Sequence, residues 1–177
     1  MNDITLRPCE ADAHAGAILA IFNEAIAHST ALYEYQPRTL QTMATWFATK
    51  QAGGFPVIGA FDPAGELLGF ASWGSFRAFP AFKYTVEHSV YVRHDQRGRG
   101  IGERLLRELL RLAEASDRVH ALIAGIDMQN SGSIALHEKL GFRPVGVLPQ
   151  VGFKFGRWLD LGFWQRTLAT PGQPVDG

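Results

Sequence analysis

Residues 85–110, TVEHSVYVRHDQRGRGIGERLLRELL, limit what this chain can fold into more than any other stretch. Thr85, Val86, Val90, Tyr91 and Val92 favour a pleated strand. Leu105, Leu106, Leu109, Leu110 and Ala113 recur at helical spacing, with Arg104, Arg107, Glu108 and Arg111 falling on other faces. Between strand and helix, Arg97, Gly98, Arg99, Gly100, Ile101 and Gly102 leave little side-chain bulk over the backbone. Such a turn bares a run of N–H groups at the positive end of a helix, so the order strand, glycine turn, helix predicts an anion site at residues 97–103.

Two common phosphate loops fit poorly. A Walker loop needs Lys then Ser or Thr after its last glycine, and Glu103 and Arg104 supply neither. A dinucleotide fingerprint needs a third glycine where Glu103 stands, normally after the first strand of its domain. The remaining pattern, Arg/Gln-x-x-Gly-x-Gly/Ala, is met by Arg97, Gly100 and Gly102. It resembles the pyrophosphate loop of the N-acetyltransferase (GNAT) superfamily, whose members use acetyl-CoA. That resemblance implies coenzyme contacts from the loop, Arg97 through Glu103, and from Val90, Tyr91 and Val92 along the pantetheine arm. Read alone, a basic glycine-rich turn could also simply join a strand to a helix.

Other function classes are bounded by composition. Seventeen basic and seventeen acidic residues give a formal net charge of zero, so no global field draws the chain to nucleic acid or an anionic membrane. No uninterrupted apolar run approaches the roughly 20 residues of a membrane span, and the first residues carry no apolar signal core. A lone Cys9 excludes an internal disulfide and a thiolate cluster, and fits a reducing, cytoplasmic setting. His14, His28, His94 and His120 show no metal-ligand spacing, so no metal is expected.

The chain of 177 residues suits a single domain over residues 1–168, with a Pro/Gly-rich flexible tail at 169–177. Expected elements are a strand at 4–7, helices at 13–28 and 39–50, and strands at 55–61 and 66–73. The organising strand, turn and helix follow. A strand at 119–126, a short helix capped by Asn130 and closed by Gly141, and strands at 142–151 and 153–167 complete the order. Leu40, Met43, Trp46 and Phe47 are expected to be the buried side of the second helix. The fold class is α/β (α+β): a mixed, mostly antiparallel sheet flanked by helices on both faces, as in the GNAT fold.

Four segments narrow the resemblance: TVEHSVYV (85–92), DQRGRGIG (95–102), LHEKLGF (136–142) and GFKFGRWLDLGFWQ (152–165). In that order and spacing they are similar to the phosphinothricin acetyltransferases, most of all the branch acetylating methionine sulfoximine and methionine sulfone. The resemblance runs from Ile4 to about Leu168. It implies a homodimer using acetyl-CoA on a small amino acid.

Acetyl transfer to an amine needs a proton acceptor, a polarised thioester carbonyl and a proton for the departing thiolate. The resemblance assigns the base to Glu87, which on the residues alone could be an edge-strand carboxylate. Burial would have to raise its pKa for that task. The Val90 N–H could polarise the carbonyl. Asn130 reads as an N-cap, and the resemblance adds a coenzyme contact compatible with capping. Many acetyltransferases place a proton-donating Tyr on this late helix; the nearest aromatic here is Phe142, which has no proton to give, so thiolate protonation has no assigned donor. The resemblance offers His137 as an assisting acid–base residue, against a packed histidine. It places substrate contacts on Arg77 through Phe79 and on Glu87, His88 and Ser89. Arg77 could fork a carboxylate or stack on Phe76 or Phe79. Tyr33 and Tyr35 are candidates for the opposite wall. Acetylation of a protein N-terminus or polyamine is an alternative, although the loops at 29–37 and 74–83 offer only Glu34 to a polyamine. A coenzyme-sensing module without turnover is another.

Overall fold

The computed structural model describes residues 4–176; residues 1–3 and 177, the ends of the expected domain and tail, lie outside them. The elements are β1 (Thr5–Pro8), α1 (Ala11–His28), α2 (Leu40–Gly53), β2 (Val57–Phe61), β3 (Leu67–Ser75), β4 (Thr85–Val92), α3 (Ile101–Glu114), β5 (Ala121–Asp127), α4 (Ser131–Lys139), β6 (Arg143–Lys154) and β7 (Arg157–Thr167). Their order is the one expected. They build one seven-stranded sheet, β1-β2-β3-β4-β5-β7-β6, in which only β4 and β5 run parallel.

The helices divide between the two faces because strand side chains alternate. On one face Ile18, Ile21 and Phe22 of α1 and Met43 and Phe47 of α2 pack on Val57, Phe61, Leu67 and Phe70. On the other, Leu105, Leu106, Leu109 and Leu110 of α3 pack on Ile58, Ala60, Leu68, Ala71 and Leu122. A bulge at Leu68 lets Leu67 and Phe70 share a face, since Ala60 pairs with Gly69 but Phe61 with Leu67.

The feature that matters for function is a short ladder. β4 and β5 pair only over Thr85↔Ala121, Val86↔Leu122 and Glu87↔Ile123. Beyond Glu87 β4 still pairs with β3 as far as Val92, and β5 with β7 as far as Asp127. The two strands therefore part in mid-sheet, and on one edge of residues 88–92 the backbone groups have no partner strand.

Several boundaries differ from the sequence expectation. α1 begins at Ala11, two residues ahead of the expected start at 13, with Glu10 as its cap position, and His14 Nδ1 accepts the Glu10 N–H at 2.8 Å. Leu40 is exposed, being the first residue of α2 and ahead of its buried stripe. The last hairpin does not break at Gly152: β6 continues to Lys154, paired with Arg157 across Phe155 and Gly156. Both turn residues have positive φ, 52° and 73°, the two-residue turn that suits twisted strands. A phenylalanine there is unusual, which is why the turn was expected at the glycine. Part of the tail is tied back: Thr170 donates to Val119 O and the Val175 N–H to the Tyr84 hydroxyl.

Candidate active site

A cleft of about 600 Å³ lies where β4 leaves β5, walled by Val90, Tyr91 and Val92 on one side and by Ser133, Leu136 and His137 of α4 on the other. Its mouth is the glycine loop, with Arg97, Gly98, Gly100, Ile101, Gly102 and Glu103 in the lining. Gly98 and Gly100 have φ of +77° and +76°, which turns the chain into α3. The N–H groups of residues 97–103 donate to no protein acceptor among the described residues. This is an anion cradle at a helix N-terminus. Glu103 would oppose an anion there, but its carboxylate pairs with Lys139 and Arg107, each at 2.7 Å, and those bonds hold its pKa below the usual range. Arg99 alone of the loop stays off the lining, bonded to Gln96.

A second cavity of about 430 Å³ opens on the α1–α2 side of the sheet and contains Glu87, Ser89, Lys50, Gly74, Gly125 and Asp127. It shares Ala31, Val90, Tyr91, Asn130, Ser133 and His137 with the cleft, so the two meet at Val90. Glu87 lies beside that junction. Its Oε1 is 3.1 Å from where a Cβ on Gly125 would stand, so Gly125 leaves the carboxyl its room. Burial raises the Glu87 pKa and the Arg77 charge partly offsets it. Asn130 caps α4 as expected, its Oδ1 accepting the Ser133 N–H at 3.1 Å, while its amide NH₂ donates to no group among the described residues.

The histidines form a buried pair. His88 points to the face opposite Glu87, and its Nε2 lies 3.0 Å from His137 Nε2. His137 Nδ1 donates to Ser133 O at 2.7 Å, so its Nε2 accepts and His88 donates. Burial lowers both pKa values and keeps the pair neutral at pH 7. With both ring nitrogens engaged, His137 can exchange a proton only after its bond to His88 opens.

The outer wall is residues 29–35. Lys154, buried at the end of β6, donates to Ser29 O at 2.8 Å and Leu32 O at 2.7 Å, and the Tyr35 hydroxyl donates to Phe153 O. Tyr33 reaches the cavity lining; Tyr35 does not. Arg77 and Phe79 are not brought to either lining: Phe79 is 72% exposed, and Arg77 stacks over Phe76 at 4.2 Å. Lys50, Asp127, Gly125 and Lys154 escaped sequence reading, because each reaches the site through tertiary packing with no local motif. Among the described residues no group of His, Cys, Asp or Glu is placed to hold a metal, and no helix is long and apolar enough to cross a membrane.

A profile of the Acetyltransferase (GNAT) family matches residues 19–142, which take in the glycine loop, Glu87 and α4. An L-methionine sulfoximine/L-methionine sulfone acetyltransferase from Pseudomonas aeruginosa is 50% identical over 151 residues, 85% of this chain and 87% of that protein. A phosphinothricin N-acetyltransferase from Streptomyces viridochromogenes is 34% identical over 97% of this chain and 91% of its own length. Among solved structures, a phosphinothricin acetyltransferase from Sinorhizobium meliloti in complex with acetyl-CoA superposes with a TM-score of 0.92 at 37% identity, covering 98% of this chain and 94% of that one. The family profile covers the cleft and its glycine loop, and the relatives match nearly the whole chain: it belongs to the GNAT acetyltransferase family.

Proposed function

We propose that the chain is an amino-acid N-acetyltransferase, moving acetyl from acetyl-CoA to the α-amine of a small amino acid such as methionine sulfone, methionine sulfoximine or phosphinothricin. The observation that carries this reading is the junction at Val90, where a cleft ending in an anion cradle meets a cavity holding a carboxyl of raised pKa. The pyrophosphate rests on the N–H groups of residues 97–103 and the pantetheine arm lies along Val90, Tyr91 and Val92, with the Asn130 amide as a further donor. Glu87 takes a proton from the arriving ammonium, directly or through water. The amine nitrogen then attacks the thioester carbon, the Val90 N–H steadies the developing oxyanion, and the nitrogen releases its second proton to solvent as the C–S bond breaks, giving the amide and the coenzyme thiolate. Thiolate protonation falls to solvent, or to His137 once its Nε2, freed from His88, has itself taken a proton from water. Ser89 and His88 shape the cavity wall, while Arg77 and Phe79 stand at its rim, where the Arg77 charge, already felt by Glu87, draws an anionic substrate toward the mouth. Single half-buried Cys9 suits a cytoplasmic enzyme.

A thiol-release assay with acetyl-CoA tests this. Methionine sulfone, methionine sulfoximine and phosphinothricin should release coenzyme, whereas a polyamine and a peptide N-terminus should not. Coenzyme binding with no release from any amino acid would leave a sensing module instead.

The same reading includes a homodimer. Val145, Val147, Leu148, Val151, Phe153, Phe155 and Trp158 of the last hairpin are all exposed, and β6 is an edge strand. Monomers rarely leave so much apolar surface in water, and a second copy of the hairpin would cover it. Light scattering at micromolar concentration should give twice the chain mass, and Val147→Glu with Trp158→Glu should halve it. A wild-type monomer would refute the assembly.

A further inference from the structure

We infer that Lys50 is a substrate-recognition residue, its ammonium receiving an anionic or strongly accepting oxygen of the amino acid while the amine lies at Glu87. This rests on the amino-acid reading above and names a contact within that same cavity.

The placement comes from the sheet. Lys50 stands in the last turn of α2 and its side chain reaches over Gly74 of β3, with Nζ 3.4 Å from where a Cβ on Gly74 would be. Gly74 is the register partner of Glu87 on β4. Directly paired residues present the same face, so the Lys50 ammonium and the Glu87 carboxyl lie on one floor. Both line the 430 Å³ cavity, yet they form no ion pair with each other. A bulky side chain at position 74 would stand where Nζ lies.

Lys50 is underserved by the protein. It is partly buried, its Nζ donates to a single neutral acceptor, Trp73 O at 2.7 Å, and no carboxylate among the described residues pairs with it. Trp46 and Phe55 flank it, their centroids 5.2 and 5.9 Å from Nζ. Burial, with the Arg38 charge nearby, lowers its pKa to about 8, which still leaves it mostly charged at neutral pH. A desolvated cation of this kind gains most from a ligand that brings an anionic oxygen. The other basic residue near Glu87, Arg77, lies on the rim and outside the lining. An amino acid of the proposed class has two suitable groups, the α-carboxylate and the sulfonyl or phosphinyl oxygens, and the chemistry Lys50 offers is common to both.

The test compares wild type, Lys50→Met and Lys50→Arg on three substrates: methionine sulfone, its decarboxylated amine, and norleucine, which lacks the sulfonyl oxygens. Lys50→Met should lower kcat/KM for methionine sulfone by about 10- to 100-fold, the worth of a hydrogen bond to a charged group, chiefly through KM. Lys50→Arg should recover most of it, and acetyl-CoA affinity should hold in both variants. A penalty that vanishes on the decarboxylated amine assigns Lys50 to the carboxylate; one that vanishes on norleucine assigns it to the sulfonyl oxygens. An equal penalty on all three, or none on methionine sulfone, overturns the assignment. Calorimetric binding of methionine sulfone makes the same comparison without turnover. Wild-type binding that needs Lys50 but yields no acetylation would therefore sink the proposed reaction and not the contact.

Discussion

Glu87→Gln should cut kcat by about 10²–10⁴-fold, the usual worth of a positioned acid–base group, and leave acetyl-CoA affinity nearly unchanged. The substitution keeps the shape of the side chain, so its fit against Gly125 survives, but an amide cannot take the ammonium proton. The coenzyme contacts proposed above lie across the junction, on the cleft lining at residues 90–92 and 97–103, which is why binding should be spared. The sign of the pH dependence follows from burial. Glu87 works as a base only when deprotonated, and its pKa is raised, so kcat/KM should fall on acidification at a pH above the usual glutamate range. In the glutamine variant the inflection set by Glu87 should disappear, leaving a steady rise with pH as the substrate amine deprotonates. The deficit should also shrink as pH rises, since more amine then arrives already deprotonated. Rates of kcat and KM from about pH 6 to about pH 9 decide it, because a variant with wild-type kcat throughout would remove Glu87 from the mechanism.

How much of this could be read from the chain depends on the range of the interaction concerned. The anion cradle was legible because its parts are consecutive: a β-branched strand, glycines at positive φ, and a helix with a leucine stripe. The alternation along β4 was legible too, but not the parting of β4 from β5 after Glu87, which belongs to pairing between distant strands. Lys50 shows the limit plainly. At the end of α2 a lysine reads as a cation favoured by the helix dipole. Its arrival in the cavity that holds Glu87 depends on α2 packing over β3 and on Gly74 being bare there. Lys154 is similar: it looks like a hairpin cation, and its two bonds to residues 29 and 32 appear only once β6 is seen to run three residues past Val151. Arg77 was singled out as a cation able to fork a carboxylate, and in the structure it stacks on Phe76, the other role its aromatic neighbours allowed.

The glycine loop offers the second large effect, and its two key glycines serve different ends. Gly100 holds φ at +76°, so a branched residue there strains the backbone whatever it does to the ligand. Gly102 is different. It lies in the first turn of α3 with ordinary helical geometry, and a Cβ there would meet Leu136 Cδ2 at 3.5 Å and Val92 Cγ2 at 3.7 Å, both normal contacts. A valine at 102 therefore folds without strain, and helix propensity slightly favours it over glycine. Its γ carbons would stand in the cleft mouth beside the N–H groups of residues 101–103, on the approach the proposal gives to pyrophosphate. Two lost bonds to a charged group are worth about 10²-fold or more in affinity. Gly102→Val should accordingly weaken acetyl-CoA binding by about that factor while its melting temperature holds or rises slightly. Gly102→Ala, with less bulk, should fall between. Calorimetry on the folded variants makes the comparison, and a stable Gly102→Val protein that binds acetyl-CoA as wild type does would mean the pyrophosphate does not rest on this helix.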